Sequence, residues 1–226
     1  MSSTTEQFYD SVSGEYTDFV ERCVPRYKEM LSTLFDYLPE NYSPKSILEL
    51  GCGTGNLTLL IYRHFPESHI QAVDISEECL NECQQRLTEG TIKYIKADFK
   101  DIEFGENSFD LIMSSIALHH LDDREKEQFF QKLFLWQAPN GILTFCDQFR
   151  GETDRLYHQH LDTWKSFAFD QGATDEVWNT WMEHQTHHDH HASLPEHINW
   201  LKSAGYTTVD CTWRYLLWAA LYAEKA

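Results

Sequence analysis

The sequence is poor in basic side chains. Its 226 residues include 18 Lys and Arg against 36 Asp and Glu, which gives a formal net charge of −18 at pH 7. A surface this acidic repels phosphate backbones, and no run of Lys or Arg forms a local exception. This composition disfavours a nucleic-acid partner and suits a protein that handles small molecules.

Long apolar runs and closely paired cysteines are also missing. The longest apolar run, residues 216–223, is too short to cross a bilayer, and the polar N-terminal segment lacks the pattern of a secretory signal. The six cysteines include no Cys-x-x-Cys pair, which is typical of reduced thiols in a hydrophobic core. We therefore expect a cytoplasmic protein with no membrane partner, present as a monomer or a homodimer.

Short apolar strands alternate with helices along the middle of the chain. Strands are predicted at Ser46–Leu50, Ile70–Val73, Ile92–Ile95, Phe109–Met113 and Gly141–Cys146. This alternation is typical of a parallel α/β sheet with right-handed crossovers and helices on both faces. Two further strands, Thr207–Trp213 and Leu216–Ala223, are separated only by Arg214 and Tyr215, which predicts an antiparallel pair at the end of the sheet.

Helical segments flank this core. Apolar residues recur every three or four positions over the first 40 residues, which predicts an N-terminal helix. Residues 150–193 are predicted to form a lid of two helices, roughly Asp154–Phe169 and Thr174–His191, and Pro195–Ala204 a last helix. We expect one domain over 1–226 in four parts: a helical cap (1–40), a ligand-binding core (45–149), the lid (150–193) and the last helix with its hairpin (194–226).

The segment Glu49–Gly55 leaves the first strand through three glycines and enters a helix. Gly51 permits a tight turn, Gly53 lets a ligand approach the backbone, and Gly55 allows close packing of helix on strand. A tight turn without a ligand is the alternative. No Gly-Lys-Ser/Thr follows, which argues against a triphosphate, and Glu49 repels a pyrophosphate but suits a ligand ammonium group.

Acidic residues follow the next two strands. Asp74 ends the second strand, where a carboxylate can accept hydrogen bonds from two ribose hydroxyls. Asp98 and Phe99 follow the third strand, as expected of an acceptor beside an aromatic ring that covers an adenine. Either feature alone is also compatible with ordinary surface turns.

Together these motifs resemble the class I S-adenosylmethionine-dependent methyltransferases. The resemblance rests on residues 49–55, 72–76, 96–99, 108–112 and 114–121, with residues 200–206 and the final strand pair as further support. It implies a three-layer, Rossmann-like sheet of seven strands in the order 3-2-1-4-5-7-6, with strand 7 antiparallel and a helical lid.

The resemblance also implies roles for individual residues toward S-adenosylmethionine. Glu49 would interact with the methionine amino group, Asp74 would bind the ribose, and Asp98 would accept from the adenine amino group. Further contacts are implied for Gly51, Cys52, Gly53, Ile75, Phe99, Ser114 and Ser115. The segment Phe8–Asp10, with Tyr9 and the later Tyr16, would close over the cofactor, ordinary helix packing being the alternative.

Methyl transfer is an in-line displacement for which the protein has mainly to position the acceptor and exclude water. A general base is needed only when the acceptor arrives protonated. His119 and His120 follow the fourth strand and are the candidate catalytic residues. The alternative is a structural role in that loop.

Five of the twelve histidines lie within residues 184–191. If this segment is helical, His184, His187, His188 and His191 share one face, while Asp189 points elsewhere. Such spacing can bind zinc or another divalent transition metal, with His158 or His160 of the preceding helix completing the site. A solvated helix face and a metal-free substrate pocket are the alternatives.

We therefore expect an enzyme that methylates O, N or S of a small molecule. Two other functions stay open: a relative that makes carboxylated S-adenosylmethionine, and a catalytically silent S-adenosylmethionine-binding subunit. The carboxylating reaction needs an extra positive charge beside the methyl group, which the sequence does not locate. The candidates for binding a substrate carboxylate are Arg22, Arg26, Arg150 and Arg155. The alternative for each is an exposed arginine without such a role.

Overall fold

The computed structural model describes residues 4–88 and 92–226, so residues 1–3 of the predicted cap lie outside the described part of the chain. Seven strands form one sheet in the order β3-β2-β1-β4-β5-β7-β6. Their bounds are β1 Ser46–Leu50, β2 His69–Asp74, β3 Ile92–Lys96, β4 Phe109–Ser115, β5 Gln137–Gln148, β6 Thr208–Tyr215 and β7 Trp218–Glu224. The predicted fold class and strand order are confirmed.

Strands β1 to β5 pair in parallel, and β7 runs antiparallel to both β5 and β6. The central strands β1 and β4 are almost wholly buried because helices cover both faces of the sheet. One apolar cluster packs beneath α1 and α2 and the other beneath α5 and α8. The carboxyl ends of the parallel strands therefore meet at one edge, where the polar side chains gather.

Eight α-helices flank the sheet in the described residues. Their bounds are α1 Thr4–Cys23, α2 Tyr27–Asp36, α3 Asn56–His64, α4 Glu77–Arg86, α5 Asp123–Trp136, α6 Asp154–Asp170, α7 Asp175–His188 and α8 Leu194–Ala204. The prediction of a single N-terminal helix is wrong, because the helix is interrupted at residues 24–26. Pro25 lies there, and Arg26 has a φ of +59°. No helix of the described residues is long and apolar enough to cross a membrane.

The predicted lid forms two helices, but the second is shorter than expected. Helix α7 ends at His188, since Asp189 is extended, with φ −102° and ψ 136°. The backbone N–H of the following residue, His190, donates to the carbonyl of His119 at 2.7 Å. This contact holds the end of the lid against the loop that follows β4.

The N-terminal helix and the lid are joined through one buried indole. The Trp164 Nε1–H in α6 donates to the carbonyl of Cys23 at the end of α1, at 2.9 Å. The ring also packs edge-on against Trp178 and Trp218, with centroids 4.8 and 4.9 Å away. These contacts fix α1 against the lid and the sheet.

We predict that Trp164→Phe lowers the free energy of unfolding by about 1–3 kcal/mol, because a buried carbonyl loses its donor. Urea unfolding followed by circular dichroism measures this change. Tyr37→Phe, at a residue that is 54% exposed, is the control and should leave stability unchanged. Equal stability of Trp164→Phe and the wild type would contradict the assigned role of the indole.

Candidate active site

The glycine-rich turn between β1 and α3 forms one wall of a small cavity of about 50 Å³, which we call the glycine-turn cavity. Gly51 and Gly53 line it with φ values of +68° and +50°, which side chains rarely allow. A Cβ atom at Gly51 would lie 2.3 Å from the Cβ atom of Ala117. Glycine at 51 therefore lets the turn pack against the loop after β4.

Asp74, the last residue of β2, holds this turn in place through a hydrogen bond to Gly53. Its Oδ2 accepts the backbone N–H of Gly53 at 2.7 Å, and its Oδ1 accepts that of Ser76 at 2.9 Å. Burial raises the pKa of Asp74, and the backbone N–H groups oppose that rise. Each oxygen keeps a lone pair, so the carboxylate can also accept hydrogen bonds from a ligand diol.

Glu49 lies in β1 beside the turn and is only 1% exposed. Neither carboxylate oxygen makes a hydrogen bond, although the Thr58 hydroxyl and backbone N–H lie close enough to moderate its pKa. Burial raises the pKa of Glu49 well above its usual range. A buried carboxyl group without a partner is costly, and the ammonium group of a ligand would satisfy it.

Helix α1 covers the glycine-turn cavity, and Tyr9 and Tyr16 line it. The Tyr9 hydroxyl lies 3.0 Å from Nε2 of His120, and the carboxylate of Asp10 accepts the Ser76 hydroxyl at 2.6 Å. Burial raises the pKa of both tyrosines well above 10, so they stay neutral. The two tyrosine rings thus cover the cavity without adding charge of their own.

Ile75 and Phe99 also line the glycine-turn cavity. Five residues predicted to bind the cofactor are outside its lining: Glu49, Cys52, Asp98, Ser114 and Ser115. The Ser114 hydroxyl donates to the carbonyl of Leu50 at 2.8 Å, and Asp98 accepts the N–H of Lys100 at 3.0 Å. Ile116 and Ala117 line the cavity after β4 instead.

A second small cavity, of about 40 Å³, adjoins the first and shares Tyr9, Tyr16 and Ile116 with it. We call it the histidine cavity. Most of its walls are apolar, and its aromatic walls include Phe19, Trp164, Trp181 and Trp218, while His119, Gln148, His184, Gln185 and Asp189 form a polar edge. His119 lines the histidine cavity and His120 the glycine-turn cavity, so the predicted catalytic pair stands at the boundary between the two.

A buried hydrogen bond fixes His119 at this boundary. Its Nδ1 lies 2.6 Å from Oδ1 of Asp147, near the end of β5, whose Oδ2 accepts the backbone N–H of His119 at 3.1 Å. Burial would lower the pKa of His119, but the charges of Asp189 and Asp147 outweigh it and raise the pKa. Burial would likewise raise the pKa of Asp147, which His119 instead holds below its usual value.

Asp189 lies at the centre of four imidazoles. Its Oδ1 is 3.6 Å from Nε2 of His119, 3.3 Å from Nδ1 of His120 and 3.9 Å from Nε2 of His184, and its Oδ2 is 3.7 Å from Nε2 of His191. We call these five residues the His–Asp cluster. Burial lowers the pKa values of His120, His184 (to about 3) and His191, so these three imidazoles are neutral.

The predicted histidine face is wrong in its membership, because α7 ends before His191. His187 is exposed, and its Nδ1–H donates to the Glu183 carbonyl of its own helix, while His188 is only partly buried. Of the preceding helix, His158 is exposed, and His160 has a buried Nδ1 without a partner. Asp189, expected to point away, is instead the residue that the histidines surround.

Sequence reasoning also missed Asp147. It stands near the end of the apolar strand β5, next to β4 in the sheet, where carboxyl ends of parallel strands meet. A lone carboxylate ending an apolar run at that edge is a signal that the sequence contains. Asp189 had no comparable signal, since its position depends on where α7 stops.

Comparison with known proteins agrees with this geometry. A family model described as a methyltransferase domain matches residues 47–141. The carboxy-S-adenosyl-L-methionine synthase of Shewanella loihica is 27% identical over 97% of this chain and 92% of its own. The synthase of the same name from Shewanella baltica is 30% identical over 69% of this chain and 68% of its own.

Solved structures share the fold at low identity. An S-adenosylmethionine-dependent methyltransferase from Mesorhizobium loti superposes with a TM-score of 0.62 at 20% identity, over 86% of this chain and 96% of that one. Human N-acetylserotonin methyltransferase superposes with a TM-score of 0.63 at 16% identity, over 99% of this chain and 60% of that one.

We predict that Asp74→Ala weakens the binding of S-adenosylhomocysteine at least about tenfold, because it removes the ribose acceptor and the hydrogen bonds to Gly53 and Ser76. Isothermal titration calorimetry measures the affinity. Asp101→Ala, at an exposed aspartate after β3, is the matched control and should bind like the wild type. Undetectable binding by the wild type would contradict the assignment of the cavity.

Proposed function

Because the chain belongs to the class I S-adenosylmethionine-dependent methyltransferases, we propose that it transfers a methyl group from S-adenosylmethionine to O, N or S of a small molecule. One observation carries the proposal: the glycine-turn cavity adjoins a second, largely apolar cavity across Tyr9, Tyr16 and Ile116. A donor in the first and an acceptor in the second would meet at that boundary.

The glycine-turn cavity, together with Glu49 beside the turn, offers groups that would suit the donor. The unpartnered carboxyl group of Glu49 suits its ammonium, Asp74 suits the ribose hydroxyls, and Phe99 and Ile75 offer apolar faces to the adenine. S-adenosylmethionine supplies a methyl group on a positively charged sulfur. These residues hold it, and Gly51 and Gly53 let it lie against the backbone.

The chemistry at the boundary is a displacement at the methyl carbon. A lone pair of the acceptor forms the new bond while the carbon–sulfur bond breaks, and its electron pair stays on sulfur. An oxygen or sulfur acceptor that arrives deprotonated needs no protein base, and an amine attacks as the neutral base and releases its proton to water afterwards. The walls contributed by Tyr9 and Tyr16 exclude water and align the two reactants, which together lower the barrier.

The acceptor is a small, largely apolar molecule with a polar end. Trp164, Trp181 and Trp218 fit an apolar body, and the polar edge at His119 and Gln148 suits a heteroatom. None of the described residues that line the two cavities is Lys or Arg. Two of the candidate arginines form ion pairs elsewhere, Arg150 with Asp154 and Arg26 with Glu29.

A screen of phenols, thiols, amines and carboxylates, with production of S-adenosylhomocysteine as the readout, tests the proposal. We predict that Trp181→Ala raises the KM for an acceptor at least about tenfold, because the indole lines the histidine cavity. The affinity for S-adenosylhomocysteine should not change. Thr180→Ala, an exposed neighbour on α7, is the control. Equal effects of Trp181→Ala on donor and acceptor would contradict two separate cavities.

Formation of carboxy-S-adenosylmethionine is the second candidate function, since relatives aligned over 92% of their length carry that name. The lack of Lys and Arg in the described cavity walls speaks against it, because the added carboxylate would need a cation. Mass spectrometry of the protein with S-adenosylmethionine and candidate carboxyl donors distinguishes the two. A product heavier than the donor by one carboxyl group would favour this second function, and S-adenosylhomocysteine would favour methyl transfer.

A further inference from the structure

We propose that His119, His120 and Asp189 bind a divalent transition-metal ion at the boundary between the two cavities. One ligand atom of each residue lies within 4.8 Å of those of the other two. The side chains of all three are largely buried, with exposed fractions of 2, 14 and 4%. This burial sets the group apart from the exposed histidines of α7.

The distances in this group fit an ion better than direct hydrogen bonds. Oδ1 of Asp189 lies 3.6 Å from Nε2 of His119 and 3.3 Å from Nδ1 of His120, yet it makes no hydrogen bond. Ligands with bonds of about 2.0–2.2 Å to one ion stand about 3.0–3.6 Å apart along the edges of its coordination shell. The observed spacings lie in that range.

The partner behind His119 sets its imidazole for metal binding, whereas Nδ1 of His120 also lies 3.4 Å from the carbonyl of His188 and would leave it to ligate an ion. The carboxylate of Asp147 accepts from Nδ1 of His119, so the proton is on Nδ1 and the lone pair of Nε2 faces the cluster. Nε2 of His120 bonds to the Tyr9 hydroxyl on its far side. A carboxylate behind a ligating histidine is the usual outer support of a metal site.

Two further nitrogens point toward the same place without a partner. Nε2 of His184 and Nε2 of His191 are buried and make no hydrogen bond, at 3.9 and 3.7 Å from the carboxylate of Asp189. The nearby buried ammonium of Lys126 donates to the carbonyls of Leu121 and His190. A metal cation between the imidazoles and Asp189 would give the unpartnered atoms of His184, His191 and Asp189 a common partner, whereas a single proton could serve only one pair of them.

The donor set selects the kind of ion. Imidazole nitrogens with a single carboxylate favour zinc, nickel, cobalt or iron(II), whereas magnesium and calcium prefer shells of oxygen. Three protein ligands leave at least one position open. His119 and Asp189 line the histidine cavity, so an acceptor there would lie beside these two ligands.

The role of the ion in turnover rests on the proposed methyl transfer, whereas its binding does not. An acceptor that ligates through the oxygen or sulfur to be methylated has its pKa lowered, and its proton leaves to bulk water. The freed lone pair then attacks the methyl carbon as described above. The ion also places positive charge where the cavity walls hold no Lys or Arg, so an anionic acceptor can enter.

The test begins with untagged protein cleared of metal by a chelator and titrated with Ni²⁺, Co²⁺, Zn²⁺ and Mg²⁺, without donor or acceptor. We expect one tight site for Ni²⁺, Co²⁺ or Zn²⁺ per chain, and none for Mg²⁺. Asp147→Asn removes a partner behind a ligand and should weaken metal binding by roughly 10–100-fold. Asp189→Asn removes a ligand itself and should weaken metal binding by more than that. His187→Gln, an exposed histidine of the same segment, should bind like the wild type.

Absence of tight binding by the wild type would overturn the proposal. The proposal would also be overturned if Asp189→Asn still binds metal and His187→Gln does not, because the ion would then be bound on the exposed face of α7. Circular dichroism and binding of S-adenosylhomocysteine verify that each variant is folded. Where Asp189→Asn does not fold, His120→Gln takes its place with the same expected loss.

Spectra of the Co²⁺-loaded protein give a second readout of the same site. The visible absorption of Co²⁺ should change when an acceptor from the screen is added, because the acceptor enters the open position. Metal binding without any methylated product would support the metal site and refute the proposed function. Methyl transfer that proceeds at an unchanged rate in chelator-treated protein would refute the role of the ion in turnover.

Discussion

The hydrogen bond between Asp147 and His119 is the interaction on which the candidate site depends. It joins the end of β5 to the loop after β4 in a place with almost no solvent. Burying a charged carboxylate is costly unless it is paired, and Asp147 is paired twice by one residue, through its ring and its backbone N–H. His119 is thereby held in one orientation, and both cavities take part of their shape from the loop that carries it.

The cavities are closed by elements far apart in the chain. Helix α1 forms a wall of both, the glycine turn and Asp74 form the floor of one, and α7 with Asp189 forms the polar edge of the other. Aromatic contacts connect these walls, since Phe8 stacks on His184 at a centroid distance of 3.9 Å and Phe19 on Trp181 at 4.2 Å. Donor and acceptor would thus be enclosed by the same set of packed rings.

The sheet and the glycine turn could be predicted because their signals are local. Apolar runs mark the strands, and the spacing of the glycines after Glu49 and of Asp74 after the second strand marks the turn and its brace. The composition of the His–Asp cluster could not be predicted, because one extended residue at Asp189 ends α7 and decides which histidines turn inward. The spacing of His184 to His191 on an ideal helix predicted the wrong set of inward-facing histidines. Asp147 was not predicted because its contact with His119 depends on the pairing of β5 with β4, which are distant in sequence.

The indole of Trp164 and the carbonyl of Cys23, which hold α1 to the lid, are 141 positions apart in the chain. During synthesis α1 leaves the ribosome before any of the lid residues that cover it. Its contacts with the lid can form only after α6 and α7 have followed, and closing so long a loop is slow. The sheet can form its central strands earlier, whereas the two cavities gain their walls only as one of the last events of folding.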